Sequence, residues 1–279
     1  MNNKIKLSMV ALVAVISILS CKKEINWDAF PNSNNNGCKL TSLKADLDVL
    51  GTYDISFAYD ALGRISKATT IDGKINSYTY TNEKVTAKDQ DGAVTEIVLE
   101  NKRAISSIRK DAITIGETIF SYTKTYTYNP DGYLTQVKNY LNGELVSTDD
   151  LSYADGNLIK VISADPDLTF TTTTDYSYST KVAVKIYDVT DPLYYHVDYF
   201  SGGYYGKQSK NVLVKSSSKT IDRDGKPTSE DVSLYDYQYD AKGNTTSILM
   251  PITTTFYPDN APATTETTQL KYVLNYNCK

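Results

Sequence analysis

Between residues 121 and 128 the chain reads SYTKTYTY: Tyr122, Lys124, Tyr126 and Tyr128 fall on every second position, with Ser121, Thr123, Thr125 and Thr127 between them. A period of two belongs to a pleated strand, whose side chains point to opposite faces in turn. Similar runs rich in Thr, Tyr, Val and Ile recur along the chain with almost no helical spacing. They are separated by glycine-bearing turns at Asp60 to Gly63, Asp72-Gly73, Asp91-Gly92, Asn129 to Gly132, Asn142-Gly143, Asp155-Gly156, Asp224-Gly225 and Asp240 to Gly243. Glycine and asparagine tolerate positive φ, so these pairs close hairpins. The pattern predicts strands near 53–59, 64–71, 74–81, 92–99, 117–128, 132–141, 144–153, 168–178, 210–221, 229–239, 243–250 and 266–277.

Counted through all the turns, this is an all-β protein, a large antiparallel up-and-down meander of about 16 to 18 strands, and a sheet that wide must curl or close. Closed into one barrel, about 16 strands at about 4.8 Å spacing and about 40° tilt give a diameter near 32 Å, on the order of what needs water, a plug or a ligand inside. A lipid-embedded barrel needs an unbroken apolar outer face. Neither face of 121–128 offers one, and both faces of YLTQVKNYL at 133–141 mix apolar with polar positions. The expectation is a soluble barrel beside a membrane.

The first residues change the address. Lys4 and Lys6 precede an apolar run from Leu7 to Leu19, which has the order of a secretory signal over residues 1–20. Ile18-Leu19-Ser20-Cys21 resembles the lipobox of bacterial lipoproteins, which implies a lipid on Cys21 and an anchor in the outer membrane, on its periplasmic or surface face. Residues 21–37, with the asparagine-rich INWDAFPNSNNNG, read as the lipidated cysteine and a flexible tether, leaving 38–279 as the folded domain. Cys38 and Cys278 remain, one at each end of that domain, and in an oxidising envelope an even pair predicts a disulfide. With 29 basic and 33 acidic residues the chain carries a net charge of −4, which lacks the basic footprint of a nucleic-acid binder.

Aligned on their turns, FAYDALGRISKA (57–68), YTYNPDGYLTQV (126–137), LSYADGNLIKVI (151–162) and YQYDAKGNTTSI (237–248) share one unit. Tyr59-Asp60 with Gly63-Arg64-Ile65, and Tyr239-Asp240 with Gly243-Asn244, resemble the YD repeat of RHS proteins. Over residues 38–279 the chain resembles small YD-like lipoproteins of Bacteroidota, a family of unknown function. That resemblance implies a porin-like meandering β-fold and says nothing of an activity.

Candidate chemistry is sparse. Tyr59, Tyr80, Tyr128, Tyr153, Tyr178 and Tyr239 recur before turns and read as strand packing. The repeat fails at DPLYYHVDYFSGGYYG (191–206), which makes Tyr194, Tyr195, His196, Tyr199, Tyr204 and Tyr205 the candidate ligand-binding residues, with an aromatic plug as the structural alternative. His196 is the single histidine, so an imidazole-based metal site or triad has little to draw on, and the reading assigns no catalytic residue, metal or cofactor. Asp149-Asp150 and Asp165-Pro166-Asp167 read as turn carboxylates, and Asp222, Asp224 and Glu230 as only faintly like a calcium loop. The leading expectation is a non-catalytic envelope lipoprotein, with the membrane, a glycan or an envelope protein as partner. A structural scaffold and an enzyme acting on a polymer are the alternatives.

Overall fold

The computed structural model describes residues 38–48, 51–115, 118–166, 170–183, 191–197, 203–259 and 261–278. Cys21, the 22–37 tether, Asp167 and Tyr199 lie outside them, as do the side chains of Tyr194 and Tyr195. All described residues belong to one unit, residues 31–279.

The meander is complete. Its first half is β1 (Cys38–Asp46), β2 (Thr52–Tyr59), β3 (Ile65–Thr70), β4 (Ile75–Tyr80), β5 (Lys84–Lys88), β6 (Val94–Glu100), β7 (Arg103–Ile115) and β8 (Thr118–Tyr128). The second is β9 (Leu134–Leu141), β10 (Glu144–Ala154), β11 (Asn157–Ala164), β12 (Phe170–Val182), β13 (Asn211–Asp222), β14 (Pro227–Leu234), β15 (Asp236–Tyr239), β16 (Thr245–Phe256) and β17 (Thr264–Cys278). Apart from β14 and β15, sequence neighbours pair antiparallel all the way round, and β1 pairs with β17 to close the ring. Strands β14 and β15 run end to end along β16, so the two form one stave broken at Tyr235, and the barrel has 16 staves. The Tyr235 amide donates to the Val214 carbonyl and keeps the break attached to β13.

Closure pairs the first and last strands, so neither is left as a free sheet edge. Across the seam Cys38 stands opposite Cys278, and a disulfide joins them. Asn244, 1% exposed, donates from Nδ2 to Cys38 Sγ at 3.4 Å and sits over this closure.

Alternate staves end at the same place. The connections 60–64, 81–83, 101–102, 129–133, 155–156 and 240–244 lie at one end of the barrel, together with Cys38, Cys278, the end of β12 and the start of β13. This is the tyrosine end, since Tyr59, Tyr80, Tyr128 and Tyr239 close the strands that lead into it. Buried residues face the lumen in two clusters. One spans β1–β4, β13 and β16–β17 through Leu40, Phe57, Ile65, Leu213, Ile248 and Leu274. The other spans β5–β11 through Val85, Ile97, Leu134, Leu158 and Val161. Each fully buried aliphatic of this size contributes roughly 1.5–3 kcal/mol. The outer face mixes exposed apolar positions such as Val98, Ile162 and Leu234 with polar and charged ones. Lys84–Glu96, Lys160–Asp175 and Lys219–Glu230 pair across neighbouring strands there with well-exposed side chains.

Candidate functional site

The repeated phrase builds the rim of the tyrosine end. In the hairpin at 60–64, Asp60 Oδ1 accepts from the Leu62 and Arg64 amides at 2.9 Å each, and Gly63 closes the turn with φ of +80°. Asp240 does the same for Lys242 and Asn244, and Asn129 Oδ1 accepts from the Tyr133 amide. Each such hairpin carries a bulge just after the turn: Ala58 pairs with Lys67 but Tyr59 with Ile65, which leaves Ser66 extra, and Thr127 pairs with Gln136 but Tyr128 with Leu134, which leaves Thr135 extra. The extra residue strengthens the local twist and keeps Ile65 and Leu134 on the buried face opposite the tyrosines. The hydroxyls then find carbonyls on the preceding stave. Tyr59 donates to Leu40, Tyr80 to Ile65, Tyr128 to Ala104 and Tyr178 to Leu158, at 2.5 to 2.8 Å. Cations cap the rings: Arg64 lies 4.3 Å from the Tyr80 centroid and Arg103 4.5 Å from that of Tyr128. Burial pushes the Tyr59, Tyr80 and Tyr128 phenols well above their ordinary range, so they stay neutral donors.

Between β12 and β13, residues 191–197 and 203–206 turn into the barrel as a plug. A single 3-10 turn, Pro192–Tyr195, is capped by Asp191, whose side chain accepts from the Leu193 amide. Leu193, Val197 and Tyr205 are buried within the β5–β11 cluster. Tyr205 packs edge-on against Tyr126 at 5.1 Å, and Tyr204 stacks near Tyr80 at 6.3 Å. Backbone bonds fix the plug to the rim, from the Ala104 amide to the Tyr204 carbonyl and from the Lys207 amide to the Gly132 carbonyl. Gly206 passes so close that a Cβ on it would stand 2.6 Å from the Gly132 oxygen.

Behind the plug lies a buried ionic group. His196 Nδ1 is 3.0 Å from Asp149 Oδ2, and Lys124 Nζ donates to the His196 carbonyl at 3.3 Å. Burial pushes the Asp149 carboxyl up, but the His196 hydrogen bond and charge, with Ser163 and Lys124, outweigh it and hold the group below the usual carboxylate range. Beside it, Tyr122 donates to Asn139 Oδ1 at 2.9 Å and Asn139 to Ser147 Oγ at 2.9 Å. The arrangement latches the plug to β8 and β10.

The lumen differs on its other side. Along β12 to β17 the inward positions line up in rows set by the strand register. One row is Thr174, Ser218, Asp231, Thr254 and Glu266, and the next toward the far end is Thr172, Thr220, Ser229, Phe256 and Thr264. The row toward the tyrosine end, Tyr176, Ser216, Ser233, Ile252 and Thr268, borders the packed cluster. Thr172 and Thr220 share a hydrogen bond of 2.9 Å, as do Thr174 and Ser218, and Thr254 donates to Asp231 at 2.6 Å. These residues are only partly buried or exposed, so this half of the lumen is open to water. Phe170 and Phe256, 50% and 44% exposed, mark its mouth. A shallow hollow at that rim is bordered by Pro166, Phe170, Asp222 and Arg223.

The candidate residues from the sequence thus part company. His196, Tyr204 and Tyr205 come together in the plug, with Tyr205 only 3% exposed and its ring spent on Tyr126. Asp149 and Asp150 are not at a turn: both sit mid-strand in β10, Asp149 facing the lumen and Asp150 bonded outside to Gln136. Asp222 caps the 223–226 turn through the Asp224 and Lys226 amides, and Glu230 pairs with Lys219 on the outer face, so the faint calcium loop does not assemble. Among the described residues no cluster of three or more His, Cys, Asp or Glu could hold a metal. The hydroxyl rows went unread, since Thr and Ser also fill ordinary strands. Their signal was the Thr and Ser at alternate positions of TTTT at 171–174 and SSSKT at 216–220.

A family model described as a domain of unknown function (DUF4595) with porin-like fold matches residues 53–247. Among solved structures, a porin-like protein from Bacteroides uniformis is similar with a TM-score of 0.58 at 16% identity, over 85% of this chain and 96% of that one. A porin-like protein from Bacteroides vulgatus is similar with a TM-score of 0.54 at 14% identity, over 85% and 98%. At these identities the likeness is one of fold. No curated protein matches.

Proposed function

The chain belongs to the DUF4595 family of domains with a porin-like fold, and from that premise we propose a non-catalytic, lipid-anchored barrel of the cell envelope that stands in water and binds a ligand. The carrying observation is the outer wall. Its ion pairs Lys84–Glu96, Lys160–Asp175 and Lys219–Glu230 stand on the face that a membrane pore would give to lipid. A lysine on that face costs about 2–4 kcal/mol near the bilayer midplane. The plug supports the same reading, because residues of the 183–210 connection fill the lumen along β5–β11. A lipid on Cys21 would join the barrel through residues 22–37 to Cys38, at the tyrosine end. With this goes a kinship of the hairpin unit with YD repeats, in which Tyr59, Asp60, Gly63 and Ile65 each serve the hairpin.

The test is fractionation and conductance. The full chain should sediment with outer membranes and the Cys21→Ser protein should be released to the soluble fraction, while purified barrel added to planar bilayers gives no current steps. A Cys21→Ser protein that stays integral after carbonate extraction, or stepwise conductance, overturns the reading.

A further inference from the structure

The open half of the lumen has a chemistry of its own. Of the fifteen inward positions in the three rows across β12, β13, β14, β16 and β17, ten are Ser or Thr, two are carboxylates and none is basic. A barrel wall that only had to be wet would tolerate any polar side chain, and the outer face of the same strands shows this with Lys215, Lys219 and Lys271. That outer face interleaves its lysines with hydroxyls of its own, Thr173, Ser217, Thr253, Thr255, Thr265 and Thr267, whereas the inner rows exclude cations and present mainly short hydroxyls. They are held in place by one another, Thr172 with Thr220 and Thr174 with Ser218, so their remaining donors and acceptors point from a rigid sheet without the rotamer entropy of long side chains. Asp231, fixed by Thr254, adds a charged acceptor in the middle row. Phe256 on the same face, and Phe170 three staves away on β12 at the mouth, offer exposed aromatic surface within one to two residues of those hydroxyls.

We propose that this hydroxyl wall is a binding site for an uncharged, multiply hydroxylated ligand, an oligosaccharide that lies along the rows with a sugar face against Phe256 and hydroxyls donating to Asp231. The inference rests on the ligand-binding part of the reading above and gives it a place and a ligand class. Two carboxylates and no cation on the wall select against anionic chains. The occupant is not the plug, which packs against β5–β11, nor the start of the domain, which enters at Cys38 on the tyrosine end.

The experiment uses the full chain with methyl-labelled threonines, titrated with maltohexaose, cellohexaose, mannohexaose and xylohexaose, with hexagalacturonate as the anionic counterpart. At least one neutral chain should shift the Thr172, Thr174 and Thr254 methyls while outward Thr173 and Thr253 stay still, and hexagalacturonate should shift none. Phe256→Ala and Asp231→Asn should each weaken that binding by about tenfold, and outward Lys219→Ala should leave it unchanged; Phe256 is half-exposed, so its variant should keep the parent melting curve. Binding that maps to the plug or the tyrosine rim, or that ignores both substitutions, overturns the site while leaving a ligand-binding barrel in place. Silence from all four neutral chains overturns it as well. Wall shifts on deleting residues 22–37 would make the chain's own tether the occupant and overturn it too.

Discussion

Replacing Gly206 by alanine tests the plug directly. Gly206 has φ of +88°, where an L-residue costs roughly 1–2 kcal/mol. Its added Cβ would also meet the Gly132 carbonyl oxygen at 2.6 Å and Tyr128 ring carbons at 3.1 and 3.2 Å. The carbonyl belongs to the rim hairpin that bonds Lys207, so relief requires the plug or the rim to shift. Overpacking of that kind costs roughly 1–3 kcal/mol more. Gly143→Ala isolates the backbone cost, because Gly143 has φ of +86° and nothing within 4 Å of an added Cβ. The difference between the two variants should therefore be about 1–3 kcal/mol. In urea unfolding at equal slope, Gly143→Ala should lower the midpoint modestly and Gly206→Ala clearly further. In thermal unfolding the gap should be on the order of 2–10 °C for a domain of this size. Equal losses for the two variants would mean that residues 203–206 do not lie against the rim, and the plug reading would fall.

Three further outcomes follow from the same contacts. The Asp149 carboxyl is held below its ordinary range in the folded state, so it adds stability above the unfolded pKa of about 4 and loses it as pH falls through the lower folded value; Asp149→Asn should flatten that acid limb of a pH series of urea midpoints, and an unchanged limb would refute the latch. Opening the Cys38–Cys278 disulfide, which spans 240 residues, should cost up to about 5 kcal/mol by chain-entropy arithmetic, read as a drop in urea midpoint on adding reductant that the Cys38→Ser, Cys278→Ser double variant no longer shows. Tyr128→Phe removes the hydroxyl that serves the Ala104 carbonyl and should destabilise by about 1 kcal/mol, whereas outward Tyr140→Phe should be neutral within error in the same assay.

The hairpins were legible because their signals are local. Asp60 and Gly63 sit three residues apart, and the two hydrogen bonds and one positive φ that define the turn are decided within that span. Alternation then set the strand count, and the equivalence of the first and last strands put Cys38 near Cys278. What the tyrosines bond to was not legible, since Tyr59 reaches Leu40 and Tyr128 reaches Ala104 on strands whose pairing depends on closure. Nor was the lumen position of Asp149, because one residue of register decides whether Asp149 or Asp150 faces inward, and β10 carries a shift between Leu145 and Ser147.

The break in the repeat at residues 183–210 has a physical reason once the ring is known to hold 16 staves. Side chains from a ring of about eight strands can meet at the axis, but a ring twice as large leaves a lumen that they cannot fill. A hairpin with a tight turn adds nothing to that space. Among the tyrosine-end connections of the described barrel one is long, and it carries Leu193, Val197 and Tyr205 inward and buries them against β5–β11. It fills only one side. The strands next to it, β12 and β13, are the ones whose inward positions turn from apolar to hydroxyl beyond Tyr176 and Leu213, so the same departure that plugs one half of the lumen leaves the other half wet. A motif that breaks because of barrel size therefore does not mark its own residues as the binding site. It marks a divided lumen, and the side it leaves open, lined by Thr174, Ser218 and Asp231, is the side with surface to offer a ligand.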